Sequence, residues 1–549
     1  MILKSLILKR SMRIYSSIVD SFPLFMDSNQ TALDSGLVLI KALSEADAYP
    51  HKVTAFSIVE THISWVLLTG LYAYKFKKPV NFGFLDFSTL EKRRFFCHEE
   101  IRLNRRLAPD LYLDVIPITG HPEQPEMGGA GEAIEYAVKM RQFPSGLTLS
   151  ELAVCGQLNV DEIDQVTGIV ADFHDVIEKA DAASPYGQSE GIKHWFDENF
   201  DHIRPLLVDE KQKQQLQALE TWGNNEWKSK AALMQRRREQ GFIRECHGDL
   251  HLSNMTLING QVTLFDCIEF NPQLRWIDVM SETAFLVIDL INVGYEHYAF
   301  RLLNHYLQRI GDYQGLALLR YYMVYRALVC AKVSLLRNAQ QQNEADFNLA
   351  NLKYTGFANL AERFTHTPPI ALIITHGYSG SGKSTYSDQL AEKMGALQIR
   401  SDIERKRLFG FQAQVDTGSG IDDGLYTKEA SRKTYLHLAD CAKQVLEAGF
   451  SAIVDATFLK TEQREQFKKL ASEVGVKFII IDFQASDEEL NRRVAQRKND
   501  ASEATLAVLK QQLQSAQALS TEEQAHVITV NTESDKVLDK LLEAIALEF

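Results

Sequence analysis

The chain has 549 residues, of which 45% are hydrophobic and 24% are charged, and this composition excludes a disordered, collagen-like or disulfide-scaffold protein. At roughly 100–200 residues per domain, the length predicts about three domains or two large ones. The 59 basic and 72 acidic residues give a net charge of −13. This charge disfavours broad binding to nucleic acid, although a local basic groove is compatible with it.

The N-terminus and the cysteines indicate the compartment. Basic residues interrupt the apolar start MILKSLILKRSMRIYSS, so a disordered lead-in over residues 1–29, with Met12 as an alternative start, is favoured over an organellar presequence. No run reaches the length of about 18 apolar residues that a membrane span needs. The six cysteines are scattered, without C-x-x-C or zinc-like spacing, which is typical of a reducing cytosol. We therefore expect a cytoplasmic protein without a membrane partner.

The first predicted site element is a β-hairpin over residues 64–78, whose second strand carries Lys75. A lysine at this place can pair with the α- and β-phosphates of ATP while an acid on the next helix holds it. That helix is CHEEIRLNRRL, residues 97–107, and Glu100 or Glu99 is the candidate partner. The alternative is an exposed strand lysine beside two further lysines.

The segment HGDLHLSN, residues 247–254, reads as H-x-D-x-x-x-x-N and is followed by two alternating stretches joined by an Asn-Gly turn. In protein kinases and their relatives this layout has defined roles. Asp249 would accept the proton of the acceptor hydroxyl, and His247 would brace the loop. Asn254 and Asp266, the latter at the end of the predicted hairpin, would bind Mg²⁺.

Further candidates flank this loop. Backbone groups around Lys139–Arg141 are placed to bind adenine at a connection between lobes. Asp278 lies where related enzymes use an acid to anchor the catalytic loop. In the helical stretch 315–337, Tyr322 and Arg326 share one face at i, i+4. They could line an acceptor pocket, although an aromatic stripe at helical spacing is more often core.

Residues from about 30 to 345 resemble the aminoglycoside phosphotransferase family. The resemblance implies an α+β bilobal protein-kinase-like domain, predicted over residues 30–365, that transfers phosphate to a small hydroxyl compound. No G-x-G-x-x-G precedes the strand lysine, where only the isolated Gly70 is found, so the cover over the phosphates must be built differently. The complete catalytic loop argues against a pseudokinase. The family name does not imply antibiotic resistance.

The sequence HTPP at residues 366–369 marks a break, because two prolines cannot lie inside a helix. From here to residue 549 we predict an α/β P-loop NTPase domain with a parallel five-stranded sheet, covered by helices on both faces. The predicted strands are ALIITH (371–376), LQIRS (397–401), AIVDAT (452–457), KFIIIDF (477–483) and VITVN (527–531).

The first of these strands runs into GYSGSGKST, which matches G-x-x-x-x-G-K-[ST]. Glycines let backbone N–H groups approach phosphate oxygens, and the following helix directs its positive dipole end at the anion. Lys383 would reach the β- and γ-phosphates, and the hydroxyl of Ser384 would bind Mg²⁺. The predicted nucleotide-binding residues are Gly377, Ser379, Gly380, Ser381, Gly382, Lys383, Ser384 and Thr385.

Two acids follow at the carboxyl edge of the predicted sheet. Asp455 ends the third strand, where it would lie beside Mg²⁺. Asp402 follows the second strand, where it could accept a proton from an acceptor hydroxyl, with Arg405 and Arg407 nearby to hold an anionic acceptor.

Arg493 and Arg497 share a helical face after the fourth strand and could close over the transferring phosphate, unless they belong to a solvated face. The P-loop, SDIERKRL, VDATF and this arginine-rich segment together resemble small P-loop kinases that phosphorylate hydroxyls. These include gluconate kinase, chloramphenicol phosphotransferase, zeta toxins and the kinase part of polynucleotide kinase. The resemblance implies ATP-dependent phosphoryl transfer but leaves the acceptor open. The tandem order resembles an uncharacterised class of bacterial fusion proteins.

Three functions remain open from the sequence. The favoured one is a bifunctional small-molecule kinase that uses ATP and Mg²⁺ at two sites. The second is a nucleotide-dependent regulator or a modifier of proteins. The third, a nucleic-acid end kinase, is disfavoured by the negative charge and by the lack of a basic run interleaved with aromatic residues.

Overall fold

A computed structural model describes residues 30–45, 48–83, 85–338, 344–412, 427–496 and 504–548. The prediction for residues 1–29 lies outside this part of the chain. Among the described helices, each is too short or too polar to cross a lipid bilayer. The chain forms two compact units. Unit 1 comprises Met1–Gln165, Val176–Val293 and Tyr321–Arg363, and unit 2 comprises Val166–Asp175, Gly294–Arg320 and Phe364–Phe549.

Both units contain helices and strands. The helices are α1 Gln30–Ala42, α2 Leu90–Asn104, α3 Leu149–Val154, α4 Val160–Val176, α5 Ser189–Ile203, α6 Glu210–Glu239, α7 Pro272–Arg275, α8 Val279–Asn292, α9 Glu296–Ile310, α10 Leu316–Asn338, α11 Glu344–Thr365, α12 Lys383–Met394, α13 Ser401–Leu408, α14 Lys428–Glu447, α15 Thr461–Val474, α16 Asp487–Gln496, α17 Leu506–Ser515 and α18 Val537–Ala546. The strands are β1 Ser57–Glu60, β2 Ser64–Leu68, β3 Tyr72–Lys77, β4 Tyr112–His121, β5 Gln124–Met127, β6 Glu135–Arg141, β7 Ile243–Glu245, β8 Met255–Ile258, β9 Gln261–Leu264, β10 Trp276–Asp278, β11 Ala371–His376, β12 Leu397–Arg400, β13 Ala452–Asp455, β14 Lys477–Gln484 and β15 Val527–Asn531.

Unit 1 contains a six-stranded antiparallel sheet in the order β1-β2-β3-β6-β4-β5. Tyr74 and Phe76 of β3 are buried on one face, and since side chains alternate along a strand, Lys75 and Lys77 share the other face. Helix α2 begins after Thr89, whose side chain accepts from the third amide of the helix. A two-stranded hairpin, β8–β9, turns at an Asn-Gly pair with positive φ, as the sequence predicts.

Unit 2 is built on a parallel five-stranded sheet in the order β12-β13-β11-β14-β15. The predicted fold of this region and its sheet are confirmed. Strands β11 and β14 are mostly apolar and almost wholly buried, as expected when a parallel sheet is covered on both faces. Because parallel strands end at the same edge, the segments that follow β11, β12 and β13 meet there.

Candidate active sites

In unit 1, the loop at residues 247–254, here called the HGD loop, connects β7 to β8 and is fixed by two buried carboxylates of α8. Two successive loop amides donate to Glu282 at 3.2 and 2.6 Å, and the amide of Leu252 donates to Asp289 at 2.8 Å. Hydrogen bonds to a charged acceptor are stronger than neutral ones. The loop is therefore held in one conformation from its first residue to its sixth.

The acids that anchor this loop are Glu282 and Asp289, whereas Asp278, which was predicted for that role, makes other contacts. The carboxylate of Asp278 accepts two bonds of 2.8 Å from the guanidinium of Arg237 and one of 2.9 Å from the amide of Met280 at the start of α8. Both members of this ion pair are almost fully buried. A buried guanidinium needs a paired carboxylate. Asp278 therefore pairs with Arg237 and caps the N-terminus of α8, while Glu282, one turn further along the helix, contacts the loop.

Asp249 lies inside the HGD loop and is 1% exposed. Its Oδ2 accepts from Asn254 Nδ2 at 3.1 Å and lies 3.2 Å from His251 Nε2. Among the described residues, its Oδ1 has no hydrogen-bond partner. Burial alone would raise the pKa of Asp249, but His251 and, more weakly, Arg326 hold it below its usual range. The structure thus presents a buried, ionised carboxylate, one oxygen of which has no hydrogen-bond partner among the described residues.

Lys75, Glu100 and Asp266, predicted to cooperate, come together in the structure. Lys75 Nζ lies 2.9 Å from Glu100 Oε1 and 2.6 Å from Asp266 Oδ1. Glu99, the alternative partner, instead accepts from the guanidinium of Arg275 at 2.8 Å. Although Lys75 is buried, the charges of Asp266 and Glu100 raise its pKa well above the ordinary value. Lys75 is therefore positively charged.

A second lysine on the same face of β3 was missed by the sequence analysis. Lys77 Nζ donates to Glu100 Oε2 at 2.8 Å and to Glu269, and the three side chains are at most 4% exposed. Lys77 holds the carboxylate of Glu100 through the oxygen that Lys75 leaves free. The period of two along a strand, which places both lysines on one face, is the signal that could have found it.

The remaining candidates of unit 1 lie in different settings. Lys139–Arg141 forms the end of β6 beside β3, and Lys139 Nζ lies 4.1 Å above the ring of Tyr72. Tyr322 and Arg326 of α10 are both 2% exposed. Arg326 donates to the carbonyl oxygen of Gly248 at 3.3 Å. Of the pair, Arg326 thus contacts the HGD loop directly.

In unit 2, the predicted strand–loop–helix order is confirmed: β11 leads through residues 377–382 into α12. Gly377 has φ +140°, and a Cβ there would lie 2.5 Å from the carbonyl oxygen of Phe483, so only glycine fits. Lys383 Nζ donates to the carbonyl oxygen of Tyr378 at 2.7 Å and lies 3.4 Å from Ser381 Oγ. The lysine is folded back over its own loop.

A serine and two acids meet at the carboxyl edge of the sheet. Ser384, in the first turn of α12, and Asp455, which ends β13 and has a buried carboxylate, line the same cavity. Burial raises the pKa of Asp455 even though Arg400, with Nε 3.8 Å away, opposes the shift. Asp402 lies in the first turn of α13. Strand ends that are far apart in sequence thus bring together the residues that the motif predicts.

These residues open into a cavity of about 1400 Å³ within unit 2. Asp402 and Asp455 line it, together with several lysine and arginine side chains. The cavity also reaches α9, where His305 and Arg309 form part of the wall. The predicted P-loop residues in the wall are Ser379, Gly380, Gly382, Lys383, Ser384 and Thr385.

The two predicted arginines of α13 make different contacts. Arg407 donates to Glu404 and to the carbonyl oxygen of Gln308, so its guanidinium is committed to the protein. Arg405 Nη1 lies 3.5 Å from the hydroxyl of Ser431, and both residues line the cavity.

Arg493 lies against the P-loop. Its guanidinium donates to Glu489 at 2.6 Å, to Thr532 Oγ1 at 2.9 Å and to the carbonyl oxygen of Gly380 at 3.3 Å. Arg493 therefore lies next to the predicted phosphate-binding loop. Arg497 lies outside the described residues.

The fold and the loop define a P-loop nucleotide-binding architecture, and comparison with known proteins supports this assignment for the C-terminal region. The sequence profile of the AAA domain family matches residues 372–519. Uncharacterised proteins of Mycobacterium tuberculosis and Mycobacterium bovis are 28% identical to the chain over 463 residues, which cover 84% of this chain and 90% of each relative. The similarity to these relatives therefore extends over both units.

Similar solved structures cover 33% of the chain. A sugar kinase from a Janibacter species is 19% identical, with 95% of that chain covered and a TM-score of 0.25. A gluconokinase from Sinorhizobium meliloti is 18% identical, with 94% covered and a TM-score of 0.25. The APS kinase of Mycobacterium tuberculosis, in complex with AMPPNP and APS, is 16% identical, with 99% covered and a TM-score of 0.24. At these identities and scores, the similarity assigns no substrate to this chain.

Proposed function

We propose that this chain is an ATP-dependent phosphotransferase with two kinase modules, each of which moves the γ-phosphoryl group of ATP to the hydroxyl of a small molecule. The observation that carries the proposal is the cavity of unit 2, into which Lys383, Ser384, Asp455 and Asp402 all open. A cation for phosphate, oxygens for a metal and a carboxylate for an acceptor proton are the parts that phosphoryl transfer needs.

In unit 2, nucleotide binding replaces one set of contacts by another. Lys383 exchanges the carbonyl oxygen of Tyr378 for a phosphate oxygen, which is the better acceptor because it is charged. Arg493, held by Glu489 against the loop, adds positive charge beside the phosphates. Asp402 accepts the proton of the acceptor hydroxyl. The neighbouring Arg405 favours an acceptor that is itself anionic.

In unit 1, the resemblance to aminoglycoside phosphotransferases and the contacts of the HGD loop support the second module. Asp249 accepts the proton of the acceptor hydroxyl through the oxygen that lacks a partner among the described residues. Lys75, oriented by Glu100, binds the α- and β-phosphates. Asp266, which is 33% exposed and has φ +68°, is presented to solvent in the left-handed conformation.

The donor sets fit magnesium, which prefers oxygen ligands and keeps several waters. In unit 2, Ser384 and the buried carboxylate of Asp455 both line the cavity and offer oxygen ligands. In unit 1, Asn254 uses its Nδ2 for Asp249, which leaves its carbonyl oxygen to join Asp266. When bound, magnesium supplies neutralisation of the phosphate charge.

The test is a calorimetric titration of the full chain with ATP and magnesium, followed by product analysis with labelled ATP and a metabolite extract. We expect two binding events for the wild type and one for Lys383→Ala. Asp249→Asn is the matched control, since it retains both events but loses the labelled product of unit 1.

Two outcomes would contradict the proposal. A chain that binds no purine triphosphate has no nucleotide site, and a chain that binds ATP while forming no phosphorylated product is a sensor and not a kinase. Unchanged binding stoichiometry in Lys383→Ala would remove the P-loop from the mechanism.

A further inference from the structure

Three side chains with different donor atoms meet beside the cavity of unit 2. His437 and Cys441 lie one turn apart on α14, and Glu404 lies on α13. His437 Nε2 is 3.1 Å from Glu404 Oε2 and 3.6 Å from Cys441 Sγ, and one donor atom of each residue lies within 4.8 Å of the other two. A nitrogen, a sulfur and an oxygen therefore lie close together.

Two of the three separations are close to those around a tetrahedral zinc ion. Zinc bonds are about 2.0–2.1 Å to histidine nitrogen, about 2.3 Å to cysteine sulfur and about 2.0–2.2 Å to carboxylate oxygen. At tetrahedral angles, these lengths place nitrogen about 3.5–3.6 Å from sulfur and about 3.4 Å from oxygen. The observed 3.6 and 3.1 Å need a shift of only a few tenths of an ångström.

The carboxylate of Glu404 is also oriented by hydrogen bonds to its other oxygen. Glu404 Oε1 accepts from the hydroxyl of Tyr313 at 3.0 Å and from the guanidinium of Arg407. Both contacts engage the oxygen that does not face His437. Outer hydrogen bonds of this kind fix ligating carboxylates in metal sites. Because Glu404 is buried and 1% exposed, it cannot turn to solvent and stays aimed at the other two donors.

We propose that Glu404, His437 and Cys441 form a Zn²⁺ site with an open fourth position for water. The mixed nitrogen, sulfur and oxygen set is one that zinc accepts, whereas magnesium requires oxygen donors. His437 is 31% exposed, so ion and water reach the site from its side. This proposal goes beyond phosphoryl transfer and does not depend on it.

Zinc at this place would join two walls of the cavity. Helix α13 carries Asp402 and Arg405, and α14 carries Ser431 and Tyr435, all of which line the cavity. A metal held by Glu404 of one helix and by two residues of the other would fix their separation. The ion is therefore assigned a positioning role for the acceptor side of the cavity.

The experiment compares metal binding by the full-length wild type with that by Cys441→Ser and His437→Gln. After chelator treatment, each protein is titrated with Zn²⁺ against a chromophoric chelator and, separately, with Co²⁺ under anaerobic conditions. We expect the affinity for Zn²⁺ to fall by at least about a hundredfold in either variant, because loss of outer contacts alone costs roughly 10–100-fold. The Co²⁺ adduct of the wild type should show a thiolate charge-transfer band that is absent in Cys441→Ser.

Cys155→Ser removes an exposed cysteine of unit 1 and should change neither result. Far-UV circular dichroism checks that each variant is folded. If Cys441→Ser does not fold, His437→Gln decides, because its ring is partly exposed and its loss leaves no buried hole. A wild type without Zn²⁺ affinity above that of the folded variants, or a Co²⁺ adduct without the thiolate band, would overturn the proposal.

Discussion

At the residue scale, Asp249 and Asp402 are proposed to perform the same step in different surroundings. Asp249 is buried and ionised next to His251, whereas Asp402 lies in a first helical turn that opens into a cavity. Asparagine keeps the shape of each side chain but cannot accept a proton. We expect Asp249→Asn to lower the transfer rate of unit 1 by roughly 10²–10⁴-fold and to leave that of unit 2 unchanged.

The same substitution at Asp402 should have the reverse effect. Separate product assays for the two units, with ATP affinity measured in parallel, check both variants. Full transfer by unit 1 in Asp249→Asn would show that this carboxylate is not its base.

Lys77 is expected to matter for stability more than its neighbours do. It is the buried cation between Glu100 and Glu269, so Lys77→Met leaves two carboxylates without their shared partner. Removing one member of a buried ion pair costs about 3–5 kcal/mol. Chemical denaturation should show a loss of this size for unit 1.

Lys92→Met is the matched control for this substitution. Lys92 is 44% exposed and pairs with Asp86 on the surface, where ion pairs contribute about 0–1 kcal/mol. If both variants lost the same unfolding free energy, burial of Lys77 and its two carboxylate partners would not explain their contribution to stability.

His251 predicts a pH dependence with a definite sign. Burial alone would lower the pKa of His251, but the charge of Asp249 raises it above its ordinary value. A raised folded-state pKa contributes stability that is present below the ordinary histidine pKa, about 6.5, and is lost as the pH rises through the folded value. The unfolding free energy of unit 1 should fall on this upward titration, and His251→Asn should weaken the dependence. A dependence of the same size in the variant would assign it to other groups.

At the element scale, the strands and loops with strong local sequence signals could be predicted, but the residues that they contact could not. The five strands of unit 2 and the P-loop lie where apolar runs and glycine spacing place them. The choice between Glu99 and Glu100 stayed open because adjacent helical residues differ by about 100° in direction, which only tertiary packing resolves. Glu282 was missed for a related reason. It lies one turn after Asp278 on α8, and its contact with the HGD loop, which is distant in sequence, depends on tertiary packing.

Gly377 allows a direct test of the P-loop conformation. With φ +140° and Phe483 close by, Gly377→Ala should distort the loop and abolish ATP binding at unit 2. Gly356→Ala is the control, because this glycine lies within α11 and the added methyl group would meet no atom of the described residues within 4 Å. That substitution should stabilise the helix by roughly 0.5–1 kcal/mol. Calorimetric ATP titration and thermal denaturation of both variants check the pair, and full ATP affinity in Gly377→Ala would contradict the assigned loop geometry.

At the scale of the whole molecule, residues 294–320 group with unit 2 although they precede the break at HTPP by a long stretch of chain. No local pattern marks them, since their role rests on long-range contacts. Asn304 of α9 donates to the carbonyl oxygen of Ala396 at 3.0 Å and accepts from the amide of Gln398 at 2.6 Å. The sequence predicts the P-loop and the strand ends that line the cavity, but it does not predict the contribution of α9.

A fragment of residues 366–549 should therefore be less stable than the same region within the full-length chain. The fragment lacks α9, so the apolar ring of Phe300 no longer covers Gly395 and Phe450. We expect the fragment to bind a hydrophobic dye and to elute as aggregates, and we expect neither result for the full-length chain. Size-exclusion chromatography and thermal denaturation make the comparison, and equal behaviour would show that α9 is dispensable for folding of unit 2.

The ion pair between Lys75 and Asp266 means that the phosphate site proposed for unit 1 supplies its own counter-ions. A free inorganic anion that binds Lys75 must displace the carboxylate of Asp266, and it brings no cation to replace the lysine as the partner of that carboxylate. A magnesium–nucleotide complex brings an anion for the lysine and a cation for the aspartate in one encounter. If the two residues have the proposed roles, the site selects a magnesium–nucleotide complex over free oxyanions by charge alone, independently of contacts with the adenine or the acceptor.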